Sequence, residues 1–337
     1  MDGVRSLAPM AAAPPQAAPP PLAAPPFLTV IVCTHQRPRY LATCLAALTA
    51  GRAADDAAGA AWCVQVVDSA SSAAAAAEIA ALAAAHGAAL LRVDEPGLSR
   101  ARNAGLTAAH TPWVAYIDDD ACVAPDWVRA IAASVARLPA RAAALGGPIV
   151  PAWEAPCPRW WPAELVPALT VLSWGRPGRL GDGSLPRHIE PYGANMVFRT
   201  AALRAVGGFP LQLGRIGAKL LSGEEAWVMR TLRGAGHDIH FDPSIRVTHS
   251  IQAARLTPHW LLARQFWSGV SEAIVAARLD GRRRALVKGL RMALHAGLCA
   301  PLALWPLHHA GLIRQRCALA FASGYLRGLV VGLHRRG

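Results

Sequence analysis

Lysine is nearly absent from this chain. Only Lys219 and Lys288 occur in 337 residues, so the 34 Lys and Arg residues are almost all arginine, set against 21 Asp and Glu. The net charge of +13 therefore sits on guanidinium groups. Such an excess suits nucleic acid, an anionic membrane surface or anionic small molecules. A GC-rich genome accounts for the total, but not for the clustering of Arg282-Arg283-Arg284, Arg314, Arg316, Arg327, Arg335 and Arg336 in the last sixth of the chain. No RNA- or DNA-binding fingerprint accompanies the charge, so no nucleic-acid partner is expected. Close cysteine pairs are missing as well. The seven cysteines are odd in number, scattered and without a C-x-x-C pair. That excludes a disulfide framework and a structural zinc site, and fits a reducing cytosol. A clean apolar run is also lacking. Ala293 to Leu307 comes nearest, but His295, Pro301 and Pro306 interrupt it. It falls short of the roughly 20 residues a spanning helix needs. With arginine on both sides it fits a helix lying in a membrane interface, or else a buried helical hairpin.

What is present divides into three stretches. Residues 1–26 are Ala/Pro-rich, without the basic start and apolar core of a secretory signal, and read as a disordered leader. Residues 27–250 alternate strand and helix patterns. Phe27 to Cys33, Trp62 to Val67, Ala89 to Val93 and Trp113 to Ile117 read as strands. Between them lie helical stretches around 40–48, 73–85 and 99–109. Such alternation implies a parallel, doubly wound α/β sheet. Residues 151–192 carry many Pro, Gly and Trp residues and read as a long irregular segment facing substrate. A strand at 195–198, helices at 200–206 and 223–233, and a strand pair around 239–241 and 245–249 follow. Residues 251–337 form a helical extension, opened by a helix over 257–278.

The run Asp118-Asp119-Asp120 ends the fourth strand. Three adjacent carboxylates repel one another, so positive charge belongs beside them. The loop at the carboxyl end of a strand is where open α/β sheets bind ligands. Acidic oxygens there suit Mg²⁺ or Mn²⁺, which commonly hold substrate phosphates.

Several segments in order resemble the family 2 glycosyltransferases of GT-A fold. They are Val30 to Pro38, Val66 to Ser71, Gly97 to Gly105, Tyr116 to Asp120, Gly193 to Arg199 with Gly207-Gly208-Phe209, and Gly223-Glu224-Glu225. The Glu-Glu pair and the run Phe266 to Glu272 resemble bacterial members that build polysaccharides. The resemblance implies transfer of a sugar from a nucleoside-diphosphate donor to an acceptor hydroxyl, dependent on Mg²⁺ or Mn²⁺. It makes Asp120 the metal ligand, with Asp118 and His249 completing the site. It makes Thr34, His35, Asp68, Asp118 and Asp119 contacts to the nucleotide, and lets Arg100 and Arg102 pair with the diphosphate. Ser69 stands where the family often carries a second Asp or Asn. Glu225 is the implied catalytic base, with Glu224 the second choice. Ser222-Gly223-Glu224-Glu225 also reads as a capping box, Ser222 as N-cap and Glu225 at N3. Attack in line, opposite the leaving group, would invert the anomeric centre.

The expected partners are a nucleotide-sugar donor, a carbohydrate or lipid-linked acceptor, and an anionic membrane surface reached through the arginine-rich tail. The expected location is the cytoplasmic face of the plasma membrane. A nucleotidyltransferase would need a glycine-rich basic loop after the first strand, which Thr34 to Pro38 does not supply. A degenerate scaffold that binds membrane or protein partners is the alternative, opposed by the intact acids at 118–120 and 224–225.

Overall fold

The computed structural model describes residues 25–186, 189–217, 219–304 and 312–334. Most of the leader, the end of the run Ala293 to Leu307, and Arg335 and Arg336 lie outside the described residues.

In chain order the elements open with β1 (Leu28–Thr34), α1 (Pro38–Ala50), α2 (Arg52–Ala57), β2 (Trp62–Ser69), α3 (Ala73–Ala85), β3 (Ala89–Val93), α4 (Leu98–Ala108), β4 (Trp113–Asp118) and β5 (Ala121–Val123). Then come α5 (Trp127–Arg137), β6 (Ala142–Gly146), β7 (Ile149–Trp153), a 3-10 helix over Ala163–Leu169, β8 (Gly178–Arg179), β9 (Met196–Arg199), α6 (Thr200–Ala205) and α7 (Glu224–Gly234). The chain closes with β10 (Asp238–Phe241), β11 (Val247–Ile251), α8 (Pro258–Leu279), α9 (Arg282–Leu304) and α10 (Ile313–His334).

Eight strands form one sheet in the order β3-β2-β1-β4-β9-β6-β10-β8. β3, β2, β1 and β4 run parallel, as the strand–helix alternation implies. β9 enters antiparallel between β4 and β6, so the sheet is mixed rather than uniformly parallel. Both faces are covered. Along β1, Leu28, Val30 and Val32 enter one apolar cluster with α1, α3 and α5 residues. Ile31 enters the other cluster, with residues of α4, α6 and α7. Burial on both faces is why these strands read as continuous apolar runs.

One expectation needs correction. The strands at 239–241 and 245–249 do not pair with each other. β10 joins the main sheet beside β6, and β11 joins a separate three-stranded sheet, β5-β11-β7. The tight turn Asp242 to Ser244 redirects the chain, its Asp242 carboxylate accepting from the Ser244 amide and hydroxyl. This small sheet lies over the carboxyl end of β4, where the acids are.

The C-terminal helices pack onto the α/β body. Trp161, Leu169, Ile251, Leu256, Leu261, Ile313 and Cys317 share one apolar cluster. α8 and α10 cross at glycines. A Cβ at Gly324 would lie 1.9 Å from the Phe266 carbonyl oxygen, and one at Gly269 would lie 2.1 Å from that of Phe321. α8 and α10 thus pack closely on each other, and an apolar stripe stays in solvent beside them. Leu286, Val287, Leu290 and Leu294 on α9 are all exposed. No helix among the described residues is long and apolar enough to cross a membrane.

Candidate active site

Pairing between β5 and β11 builds the acidic corner. His249 sits opposite Ala121, and the Ser250 amide donates to the Asp120 carbonyl at 2.8 Å. The imidazole therefore lands on the Asp120 side chain, with Nε2 3.1 Å from Oδ1. Ligand atoms of Asp118, Asp120 and His249 all lie within 4.8 Å of one another. His249 Nδ1 is buried without a hydrogen-bond partner. Two carboxylates and an imidazole form an oxygen and nitrogen donor set that fits Mg²⁺ or Mn²⁺.

The positive charge the three acids call for is supplied by the protein itself. Arg37 pairs with Asp119, and with Asp120 at 2.7 Å. Arg255 Nη2 and Gln252 Nε2 donate to Asp120 Oδ2 at 3.1 and 2.9 Å. Thr34, at the end of β1, donates to Asp119 at 2.7 Å. The acids differ in consequence. Burial pushes the Asp119 carboxyl up to about 7, against the opposing pull of Arg37. Burial would raise Asp120 too, but its bond to His249 and the charges of Arg37 and Arg255 hold it well below the usual carboxylate range. Asp118 is the most open of the three, its side chain 30% exposed.

A second cluster lies alongside. Arg102, on α4, is 2% exposed and packs over Phe209. Its guanidinium donates to Glu224 at 2.8 Å, Glu225 at 3.4 Å and Asp118 at 3.4 Å. One buried cation thus stands between the metal-type corner and the first turn of α7. Burial would weaken its hold on a proton, but the charges of Glu225, Glu224 and Asp118 raise it further. The two glutamates are split. Burial, then the charge of Glu225, pushes Glu224 up to about 8. Glu225, despite burial, is held below its ordinary value by Arg102, backbone amides and a hydrogen bond from Glu224. Glu224 carries the proton of the pair and Glu225 stays ionised. Gly193 is required here for space, because a Cβ would lie 2.2 Å from Arg102 Nη2 and 2.7 Å from Glu225 Oε1.

The capping box does not form. Gly223, at φ 86°, is the N-cap of α7, and no side chain caps the helix. Glu225 is therefore free of a capping duty. Arg102 differs from expectation as well, since three carboxylates already occupy it. Arg100 points elsewhere and pairs with Glu95 at 2.6 Å, away from the cleft. Asp68 is buried against Arg92 at 2.5 Å and the Ser71 amide at 3.2 Å, and does not line the cleft. His35 does line it, its Nδ1 2.6 Å from the Ser69 carbonyl.

The cleft holds about 760 Å³ and takes in Thr34, His35, all three acids, Glu225 and His249. Sequence reasoning missed Arg255, which serves Asp120, and two further arginines of the cleft, Arg215 and Arg264. Arg264 has a buried Nε without a partner, and its Nη1 donates to the Leu220 carbonyl at 3.1 Å. Burial, with Arg215 nearby, lowers it to about 10. No carboxylate pairs with either arginine among the described residues. A buried cation lacking an anion is costly unless a ligand supplies one. Nothing in the sequence sets these two apart from the many other arginines.

Comparison with known proteins covers the amino-terminal part of this site. Residues 29–180 match the Glycosyl transferase family 2 model. The glucosyl-dolichyl phosphate glucuronosyltransferase of Haloferax volcanii is 30% identical over 187 residues, covering 54% of this chain and 56% of that protein. The succinoglycan biosynthesis protein ExoM of Rhizobium meliloti is 29% identical over 237 residues, covering 69% of this chain and 71% of that protein. The chain thus spans little more than half the length of the first relative. A mannosyltransferase from Pyrobaculum calidifontis, solved with GDP-Man and Mn²⁺, superposes with a TM-score of 0.57 at 19% identity, over 90% of this chain and 88% of that one. That likeness bears on the fold and agrees with a GT-A-like architecture. Residues 29–180 thus carry a glycosyl transferase family 2 domain.

Proposed function

We propose that this protein is an inverting, metal-dependent glycosyltransferase that moves a sugar from a nucleoside-diphosphate donor to an acceptor hydroxyl. The carrying observation is that Arg102 joins Asp118 and Glu225 within one cleft, so a cation corner and an ionised carboxylate face the same space. Asp118, Asp120 and His249 would hold Mg²⁺ or Mn²⁺, which when bound would neutralise charge on the departing diphosphate. The nucleotide would lie along Thr34 and His35, with Asp119 fixed below through Thr34 and Arg37. Asp68 would act through the turn it closes with Ser71. Arg215 and Arg264 offer cations for the diphosphate where Arg100 and Arg102 do not.

Glu225 acts as the base. The acceptor oxygen bonds to the anomeric carbon as the bond to the diphosphate breaks, and the hydroxyl proton passes to Glu225. Attack opposite the leaving group inverts the centre. Arg102 is a positioning residue that keeps Glu225 ionised and aimed. The names of the two relatives support a lipid-linked or polysaccharide acceptor. The exposed stripe on α9, flanked by Arg282, Arg283, Arg284 and Arg291, supports contact with an anionic membrane surface, as on the cytoplasmic face of a plasma membrane.

Calorimetry with UDP, GDP and dTDP, with and without Mn²⁺, tests the reading. One nucleotide is expected to bind with Mn²⁺ and to be lost in Asp120→Ala. If folded protein binds none of the three, the donor site is wrongly assigned.

A further inference from the structure

Charges line the cleft throughout, and nearly all of its acids are answered by a cation. Arg37, Arg102 and Arg255 hold those at the end of β4 and the start of α7. Lys288 holds Glu272, and Arg314 holds Glu164. Glu190 is the exception. It lines the cleft half-buried, yet among the described residues no cation or hydrogen-bond donor pairs with it. Arg215 and Arg264 are unpaired in the same cleft, but the cations that bear most on Glu190 are Arg233 and Arg230, and neither lines it. Burial raises the Glu190 carboxyl above its ordinary value, against the pull of those two arginines, and the charges of Glu272 and Glu225 add to the rise.

The backbone fixes where this carboxyl stands. Ile189 before it is 1% exposed and belongs to a core cluster. Pro191 after it is buried against Gly146, where a Cβ would lie 2.6 Å from the proline Cβ. The Tyr192 carbonyl then accepts from the Asn195 amide at 2.8 Å. Gly193 follows, the residue that leaves room for Glu225. One anchored segment therefore carries Glu190 and backs the base. We infer that Glu190 binds a second hydroxyl of the acceptor, beside the one that gives its proton to Glu225, and so selects which hydroxyl attacks. The inference rests on the transferase reading and adds the residue that orients its acceptor. The ligand class is a sugar ring or other polyol with two hydroxyls close together. A carboxyl suits a hydroxyl in either protonation state, accepting from it when ionised and donating to it when protonated. An amine is the competing ligand, but Arg230 and Arg233 offset the two nearby glutamates, so no excess negative charge draws one there. Holding the neighbouring hydroxyl sets the angle at which the reacting oxygen meets the anomeric carbon.

The probes are methyl glycosides of glucose, galactose and mannose with their monodeoxy forms, titrated by saturation-transfer NMR into the full-length protein with Mn²⁺ and UDP, GDP or dTDP. At least one glycoside is expected to bind, and one of its deoxy forms to bind about tenfold more weakly. Glu190→Ala should weaken the parent glycoside about tenfold and abolish its advantage over that deoxy form, as contacting groups do in a double-mutant cycle. Glu190→Gln keeps a hydrogen-bonding group of the same shape and should restore both. A merely structural role would not erase discrimination at one hydroxyl. Four results would each overturn the proposal: no glycoside bound by the wild type, discrimination surviving in Glu190→Ala, nucleotide binding lost in that variant, or a methyl glucosaminide preferred to the glucoside through Glu190. Nucleotide binding to the wild type is titrated separately, so its failure would sink the donor-site reading without being mistaken for failure at Glu190.

Discussion

At the scale of single residues, the pair Glu224 and Glu225 shows how one buried arginine gives two like side chains different jobs. Glu225 keeps its charge because Arg102 and a neighbouring proton favour it, and Glu224 holds that proton because burial leaves it little alternative. Glu225→Gln is expected to cut transfer by roughly 10²–10⁴-fold while leaving nucleotide binding intact. Nucleotide affinity falling in step with transfer would show that Glu225 serves the donor rather than the acceptor. The companion Glu224→Gln has a different signature. Glu224 has a native value near 8 against an ordinary 4.5. Its contribution to stability is full below the ordinary value and is lost as pH rises through the native one. Wild-type melting temperature should therefore decline as pH rises across that window, and the Gln variant should decline less. Identical pH profiles would refute the shift. The same scale explains the arginines of α4. Arg100 and Arg102 are two positions apart on a helix, so they face nearly opposite sides and cannot grip one ligand together. Their nearness in sequence concealed that.

At the scale of elements, the α8–α10 crossing depends on glycine. Gly269, Gly324 and Gly328 let the two backbones touch, a Cβ at Gly328 falling 2.5 Å from the Val270 carbonyl oxygen. Gly324→Ala would press a methyl group on the Phe266 carbonyl, which is backbone and cannot rotate away. The expected cost is about 2 kcal/mol, read as a lower denaturation midpoint in urea with an unchanged slope. An unchanged midpoint would mean the helices do not approach this closely. The strands were legible to different degrees for a physical reason. β1, β2 and β4 are long, apolar and buried on both faces, and sequence reading places each within a residue or two. β5, β6, β7 and β8 escaped it because β5 and β8 are very short, β6 is built mostly of alanine and β7 is largely open to solvent. That His249 lies on a strand was legible, although the strand runs on to Ile251; its companion Ala121 was not, since a three-residue strand carries no periodicity. The cations around Asp120 stayed hidden because Arg255 follows on a short 3-10 turn that no pattern announces.

At the scale of the whole molecule, charge and apolar surface lie together. The stripe on α9 and the arginines about it should act as one membrane-facing patch. Vesicles containing anionic lipid are expected to sediment with the protein and to release it in about 0.5 M salt, where the Debye length falls to a few ångströms. Leu290→Glu should weaken that association about tenfold, since it puts an anion in the centre of the stripe. Equal binding to neutral vesicles, or no effect of the substitution, would remove the patch from consideration. The net charge alone was visible in the sequence, but its meaning depended on which helix face the leucines take, and that is fixed by the packing of α9 on Tyr325 and Leu329.

The cleft takes its residues from both ends of the chain. Thr34 belongs to the first strand, and Lys288 and Phe321 belong to the last two helices. During synthesis from the amino end, the corner of Asp118 and Asp120 emerges early, His249 much later, and Phe321 later still. A domain generally folds as a unit, and β9 and β10 lie within the main sheet beside β4 and β6. The corner at Asp118 and Asp120 therefore waits, unfinished, for chain made long after it, and the cleft closes only when its last helices have left the ribosome.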